Sequence, residues 1–304
     1  MSESTMPPPA PQAPVAFEKD EPVDWRREIT GLALMLLAVI GFHSLVAKPF
    51  YIPSISMMPN LLVGDRLVVS KYPYGWSWVS ASFHALPRSD MRVLGRTPEY
   101  GDIVIVSPPH AKEDWIKRVV ALPGDRIAIR DGRIVLNGRM IAQDAEPPVQ
   151  IDADDAQTCN GVPCLAAFAP YRTRLPSGRS VYELPTYRET LPNGASYLIV
   201  DHISQKLDNR PEITIPAGHV FLMGDNRDHS ADSRETLPGV GLGGPVPLSD
   251  IGGRAEFVTF SLDGSEGWNP LSWFGALRDG RALGTLRPPI RPAQRAGEAH
   301  LAAR

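Results

Sequence analysis

The apolar residues of this chain fall into one long run and many short ones. From Ile29 to Ala47 the sequence ITGLALMLLAVIGFHSLVA carries no formal charge over 19 residues, matching the roughly 20 residues a helix needs to cross the ~30 Å hydrocarbon core of a bilayer. A spanning helix is expected there rather than a cleaved signal peptide. The run begins late, is long, and no A-x-A pattern follows it. Downstream the runs are short and rich in Val and Ile: RLVVSKY (66–72), DIVIVS (102–107), WIKRVVAL (115–122), RIAIR (126–130), RIVLN (133–137), SYLIVDHI (196–203), HVFLMG (219–224) and RAEFVTFS (254–261). Their length and β-branched content predict strands. Asp131-Gly132 lies between two alternating runs, a hairpin signal, and Asn137-Gly138 marks a further turn. The expected fold is mostly β, an extramembrane β-sheet catalytic domain behind one N-terminal transmembrane helix.

This pattern divides the chain. Residues 1–28, with the run MPPPAPQAP, are expected to form a disordered cytoplasmic tail, and 29–47 the helix. Residues 48–277 form the β-rich domain, interrupted by excursions at about 75–100 and 144–193, and 278–304, rich in Arg, Pro and Ala, form a loosely ordered C-terminal tail. Lys19, Arg26 and Arg27 precede the helix while only Lys48 follows closely, so the positive-inside rule puts the N-terminus in the cytoplasm and the domain on the far side. Cys159 and Cys164, in TCNGVPC, are close enough for a small loop disulfide, which requires an oxidising compartment; two free thiols are the alternative. They are the only cysteines and the histidines are scattered, so no metal site is expected.

Composition narrows the class a little further. With 31 basic against 34 acidic side chains and a formal charge of -3, nothing electrostatic favours a nucleic-acid partner. The 31 prolines and 26 glycines suit short strands and many turns better than a helical bundle.

Three segments carry candidate chemistry: PSISMMPNLLVGD (53–65), WIKRVVALPGD (115–125) and MGDNRDHSADSR (223–234). Ser54 and Ser56 beside Pro53 and Pro59 would by themselves read as turn formers. Lys117 changes that reading. It lies inside an apolar strand, sharing a face with Trp115, Val119 and Ala121 while Arg118 points the other way. A free lysine, with a pKa near 10.4, is too protonated at neutral pH to accept a proton from serine; burial depresses that pKa and makes it a usable base. A lysine snorkelling at a strand edge is the ordinary alternative. The third segment sets Asp225, Arg227, Asp228, Asp232 and Arg234 beside Ser230 and Ser233. A solvated turn would also look like this, but a calcium loop would not, because neither Asp225 nor Asp228 as first ligand gives Gly at position six with Glu at twelve.

Together these segments closely resemble bacterial type I signal peptidase, the leader peptidase, over the anchor and roughly residues 48–260. The resemblance implies a membrane-bound serine endopeptidase that removes signal peptides from exported preproteins, cutting after small residues and using no cofactor. Ser56 would be the nucleophile, Lys117 the general base, Ser54 the oxyanion-hole hydroxyl and Ser230 the group that aims the lysine. Asp232 and Arg234 would form a supporting ion pair. Phe50, Ile52, Pro53, Met57, Leu61 and Ile116 would line shallow apolar substrate pockets. The implied setting is single-pass in the bacterial inner (plasma) membrane, with the catalytic domain periplasmic, in contact with lipid and near the secretion machinery. His219 and His229 have no part in such a mechanism. The chain departs from the family pattern in having Ile55 where Gly is usual, His229 where Asn is common, and one spanning helix where some relatives carry two. Trp76, Trp78, Phe83, Trp268, Trp273 and Phe274 are candidates for an apolar rim at the lipid headgroups, with core packing as the alternative. The rival readings are a self-cleaving relative of the repressor type, which would carry a DNA-binding domain where this chain has its tail and helix, and a non-catalytic membrane-tethered β domain that binds exported proteins.

Overall fold

The computed structural model describes residues 23–82, 85–111, 113–237 and 240–291. The tail before residue 23, Phe83, and the tail after residue 291 lie outside the described residues. Two compact units emerge, one ending at Val39 and the other starting at Ile40.

The helix α1 spans Trp25–Leu45, and none of its residues is buried. It begins a turn before the charge-free run. Arg26, Arg27 and Glu28 are good helix formers that only their charge excluded from that run, and the Asp24 carboxylate accepts from the Arg26 amide at 3.1 Å, in the manner of an N-cap. It also stops short of Ala47, which already belongs to the first strand.

Within the second unit the chain forms β1 (Ala47–Tyr51) and β2 (Asp65–Ser70), then β3 (Ile103–Val106), β4 (Trp115–Ala121), β5 (Arg126–Arg130) and β6 (Arg133–Leu136). After these come β7 (Ala142–Asp152), β8 (Ser180–Thr190), β9 (Ser196–Ile199), β10 (Arg210–Thr214), β11 (His219–Met223), β12 (Val246–Pro247) and β13 (Ile251–Ser261). Seven of them build one antiparallel sheet in the order β1-β2-β13-β3-β4-β11-β12. Alternation along β3 and β4 sends Ile103, Ile105 and Ile116 into one cluster with Leu67, Val69 and Ala255, and Val104, Val106 and Val119 into another with Val220, Leu222 and Ile251. Both faces are covered, which is why these strands read as nearly unbroken apolar runs. Each such side chain, fully buried, stabilises the fold by about 1.5–3 kcal/mol. The β5–β6 hairpin turns at Asp131 and Gly132 with φ of 47° and 79°, the pair of positive values a two-residue type I′ turn requires.

The excursion at 144–193 holds the longest hairpin of the unit. Its strands β7 and β8 pair from Ala142↔Thr190 to Asp152↔Val181 with a bulge between Glu146 and Val149. Pro147, Pro148 and Pro185 hid these strands from the sequence pattern, and the bulge beside the first two accommodates their missing N–H groups. Cys159 and Cys164 are joined by a disulfide within this excursion. Its Ile151, Leu165 and Phe168 form a cluster with Met58, against which Ile55 also packs.

Residues 278–291, expected to be loosely ordered, instead lie along the domain. The Arg278 guanidinium donates to the Val63 carbonyl at 2.8 Å and pairs with Asp155, Arg281 pairs with Asp65, Leu286 packs on the core, and the Arg291 N–H meets the Gly194 carbonyl at 2.8 Å. Long-range ion pairs of this kind leave no periodic trace in a sequence.

Candidate active site

Ser56 sits in a single 3₁₀ turn, Ile55–Met57, between β1 and β2. The turn is held from below by Met57 and Leu61, whose side chains are fully buried in the cluster that contains Ile116. Lys117 stands in the middle of β4, opposite Val104 of β3. Its Nζ lies 3.0 Å from the Ser56 Oγ and donates a second bond to the Ile116 carbonyl at 2.9 Å. Ser56 and Lys117 are 7% and 4% exposed, so the pair meets out of bulk water. Burial pulls the lysine down from 10.5 to about 8, against the opposing charges of Asp232 and Asp225, with Arg234 adding to the depression.

The third segment follows β11 and closes over this pair. Asp232 and Arg234 form a fully buried ion pair, Nε to Oδ1 at 3.0 Å, and Asp232 also accepts from the Gly224 amide at 3.0 Å. Burial alone would raise the Asp232 pKa; the Arg234 charge and these hydrogen bonds overcome it and hold the carboxyl below its ordinary range. Gly224 is wedged between Ser230 and Ser56, since a Cβ there would come within 2.2 Å of the Ser230 Oγ and 2.5 Å of the Ser56 carbonyl oxygen. Only glycine fits. Ser230 is therefore at the site, although its Oγ makes no hydrogen bond among the described residues. Ser54 Oγ is 3.3 Å from Ser56 Oγ. His219 bonds the Ala217 carbonyl and His229 packs edge-on against Phe168; neither is hydrogen-bonded to Ser56.

A serine beside a lysine of lowered pKa, backed by a buried ion pair, is the set of groups that nucleophilic attack on a carbonyl requires. Residues 25–260 match a family model described as signal peptidase, peptidase S26. The chain belongs to that family. It is a serine endopeptidase of the kind that removes signal peptides. The signal peptidase I of Rickettsia typhi (strain ATCC VR-144 / Wilmington) is 32% identical over 245 residues, covering 78% of this chain and 80% of that protein. That of Rickettsia bellii (strain OSU 85-389) is 30% identical over 244 residues, covering 77% and 73%. A solved signal peptidase I from Enterococcus faecalis V583 aligns with 20% identity and a TM-score of 0.26, covering 52% of this chain and 97% of that one, a likeness too slight to carry an argument.

The six candidate pocket residues are not equivalent. Ile52, Met57, Leu61 and Ile116 belong to one buried cluster, Phe50 packs against it half-exposed, and Pro53 is exposed. Of the candidate rim, Trp268 and Phe274 are exposed, as is Trp273, and Leu271 joins them; Trp76 and Trp78 are half-buried, with the Trp76 ring N–H donating to the Leu45 carbonyl at 2.8 Å.

Several residues around the site had been given no role beforehand. Arg118, placed on the opposite face from Lys117, is buried and makes a two-pronged bond to Asp225, both contacts at 2.7 Å, while its guanidinium lies 4.0 Å from the Tyr197 ring centre. Asn60 Nδ2 bonds both the Asp225 carboxylate and the Leu198 carbonyl at 2.7 Å. Arg227 and Glu189 form a third buried pair at 2.6 Å. A strand arginine flanked by apolar residues signals that a buried carboxylate must exist somewhere, but no local signal says which one.

Proposed function

We propose that the protein removes N-terminal signal peptides from exported preproteins with Ser56 as nucleophile and Lys117 as general base. The observation that carries this reading is the 3.0 Å contact between Lys117 Nζ and Ser56 Oγ, made by a lysine whose pKa is lowered to about 8. Neutral Lys117 takes the Ser56 proton as Oγ attacks the scissile carbonyl; the resulting ammonium then protonates the leaving amine. In the second half, Lys117 takes a proton from water as it attacks the acyl-enzyme carbonyl; the carbon–Ser56 Oγ bond then breaks and the ammonium returns the proton to Ser56 Oγ, freeing the acid product and the neutral lysine. Ser54 Oγ and the Ser56 backbone N–H receive the oxyanion, Ser230 orients the lysine, and the Asp232–Arg234 pair braces the segment that carries Ser230. Phe50 and Pro53 give the substrate an exposed apolar edge, backed by Ile52, Met57, Leu61 and Ile116. A tightly packed floor leaves room for small side chains and rejects larger ones.

In this proposal α1 anchors the enzyme in the bacterial inner membrane with the N-terminus cytoplasmic and the domain outside. Ser56 follows Ala47 by nine residues, so at ~3.3–3.6 Å per residue it lies within roughly 30 Å of the bilayer surface. A signal peptide crossing the same bilayer presents its cleavage site at about that height, near the machinery that exported it. The exposed Trp268, Leu271, Trp273 and Phe274 contact lipid.

Incubating the full chain in detergent with a labelled preprotein, and sequencing the new N-terminus, tests the reading. Cleavage after a small residue at the end of the signal peptide, abolished in Ser56→Ala and in Lys117→Met, is expected. Near-normal turnover by Lys117→Met would overturn the assignment of the base.

A further inference from the structure

The two peptide groups that flank the nucleophile are held by one residue with no part in the steps above. Asn226 is completely buried. Its backbone N–H donates to the Ser56 carbonyl at 3.1 Å and its side-chain Nδ2 donates to the Ile55 carbonyl at 3.1 Å. A carbonyl oxygen only accepts, so this bond fixes which end of the amide points at Ile55. The Ile55 carbonyl and the Ser56 N–H belong to the same peptide group. Resonance couples the two ends of that group: a hydrogen bond accepted at the oxygen draws electron density from the nitrogen and makes its N–H a stronger donor.

We infer that Asn226 is a positioning residue that orients and polarises the Ile55–Ser56 peptide so that the Ser56 N–H is ready to donate to the oxyanion. This rests on the reading of Ser56 as nucleophile. The clamp has a firm mounting. Val200 forms a parallel bridge with Asn226, accepting from the Arg227 N–H at 2.8 Å and donating to the Asp225 carbonyl at 2.9 Å. Asn60, four residues beyond Ser56, is tied to the neighbouring Asp225 carboxylate at 2.7 Å. The amide is used on one side only, because Asn226 Oδ1 finds no partner among the described residues. Burying an unpaired amide oxygen costs stability, so an asparagine is a poor choice for filling this space and a good one for donating from it. Alanine offers no donor there, and a carboxylate would set an acceptor against an acceptor.

The full chain, in detergent, is compared with Asn226→Ala and with Asn226→Asp; the second variant keeps the side-chain volume should the first fail to fold. Two peptides probe the site, one ending in an alanine aldehyde and one in the free carboxylate of the cleavage product. Ser56 Oγ adds to the aldehyde carbon, the serine proton passes to Lys117 Nζ, and the carbonyl oxygen becomes the hemiacetal oxyanion. Removing a whole oxyanion donor costs about 10²–10³-fold in kcat. Weakening and loosening one is expected to cost about ten- to a hundredfold, with KM changed less than about threefold. Aldehyde affinity should fall in step with kcat, product-peptide affinity should hold, and the pH limb set by Lys117 should stay where it is. Unchanged kcat and aldehyde affinity would overturn the inference. So would an equal loss of aldehyde and product binding, which a merely structural role produces. Mapping a serine-directed acylating probe on the unmodified protein separates this from the parent reading: a label that misses Ser56 sinks that reading whatever Asn226 does.

Discussion

Lys71 and Lys117 stand in different parts of the same domain and share one electrostatic fate. Both are almost wholly inaccessible, at 3% and 4%, and burial lowers each from 10.5 to about 8. Their neighbourhoods differ. Around Lys71, the Lys48 and Arg92 charges add to the depression and Asp114 opposes it, and no hydroxyl is hydrogen-bonded to its ammonium among the described residues. Around Lys117, the carboxylates of Asp232 and Asp225 oppose the depression and the Ser56 hydroxyl is within 3.0 Å. Burial thus makes two lysines of this molecule far easier to deprotonate than a free one, while near pH 7 each is still mostly protonated. The hydroxyl distinguishes the two, so position relative to a nucleophile, and not the shifted pKa, makes a base.

Activity should separate the pair most sharply. Lys117→Met and Ser56→Ala are each expected to lower kcat by at least about 10⁴-fold, and the double variant should be hardly worse, because the two groups act as one unit. Lys71→Met should leave kcat within about threefold. Because the base works unprotonated, kcat/KM should rise with pH along a limb centred near the Lys117 value of about 8. Lys71→Met should leave that limb in place. Initial rates on a labelled preprotein across pH 6–10 read all of this, and a limb that moved with Lys71 would mean that the wrong lysine had been chosen.

Next in size is the buried Asp232–Arg234 pair beside Lys117. Asp232→Asn leaves the buried Arg234 without its carboxylate and is expected to cost about 3–5 kcal/mol of stability. Asp232 also raises the Lys117 pKa, so in protein that remains folded the activity limb should move to lower pH. Thermal melts and pH–rate profiles of the one variant read both effects; a limb that stayed put would show that Asp232 is too well screened to act on the lysine.

The stability cost of burying a charged lysine should unite the two sites again. Each lysine has a lower pKa folded than unfolded, so between about pH 8 and 10.5 the unfolded chain binds more protons. Stability therefore rises with pH through that window, and below it the full penalty, on the order of 3 kcal/mol per lysine, is present. Lys71→Met and Lys117→Met should both raise the melting temperature at pH 7, with the gain fading as the pH passes about 10. A gain at Lys71 alone would mean that the bonds from Lys117 to Ser56 and Ile116 offset its desolvation.

The smallest effect belongs to the disulfide. Cys159 and Cys164 close a loop with a sequence separation of 5, for which chain entropy gives about 2 kcal/mol. The paired serine variant should melt a few degrees lower yet cleave preprotein within about threefold of normal, since the excursion meets the nucleophile segment through the apolar packing of Ile55 and Met58. A large loss of kcat would make the disulfide part of the active-site frame.

Much of this was legible beforehand, and unevenly. The eight short apolar runs are all strands, because period and β-branching are local properties that the backbone obeys locally. The Asp131-Gly132 turn followed from its two residues alone. The β7–β8 hairpin did not, because its prolines argue against strands and a bulge had to absorb them. The binding of residues 278–291 to the domain was equally hidden, resting on ion pairs with Asp155 and Asp65 more than a hundred positions away. Around the site, Ser56 and Lys117 stood out because each residue type was out of place for its surroundings or completed a familiar pattern. Asn226, Asn60 and Gly224 carry no such mark, and their importance appears only when the segments meet.

The sequence by itself determined that one stretch is long and uncharged enough to span a bilayer, that the remainder is built largely of strands, and which three segments to look at for the proposed chemistry. These properties are written in composition and period, which neighbouring residues share. Only the tertiary structure showed that the Lys117 ammonium lies within hydrogen-bond reach of Ser56, that Arg118 closes on Asp225, and that Asn226 grips the peptides on both sides of Ser56. Ser56 and Lys117 are separated by 61 positions and meet at 3.0 Å. A contact of that kind is fixed by the pairing of β3 with β4 and by the packing of the 3₁₀ turn over β4. Register and packing are relations between distant segments, and no window of sequence contains them.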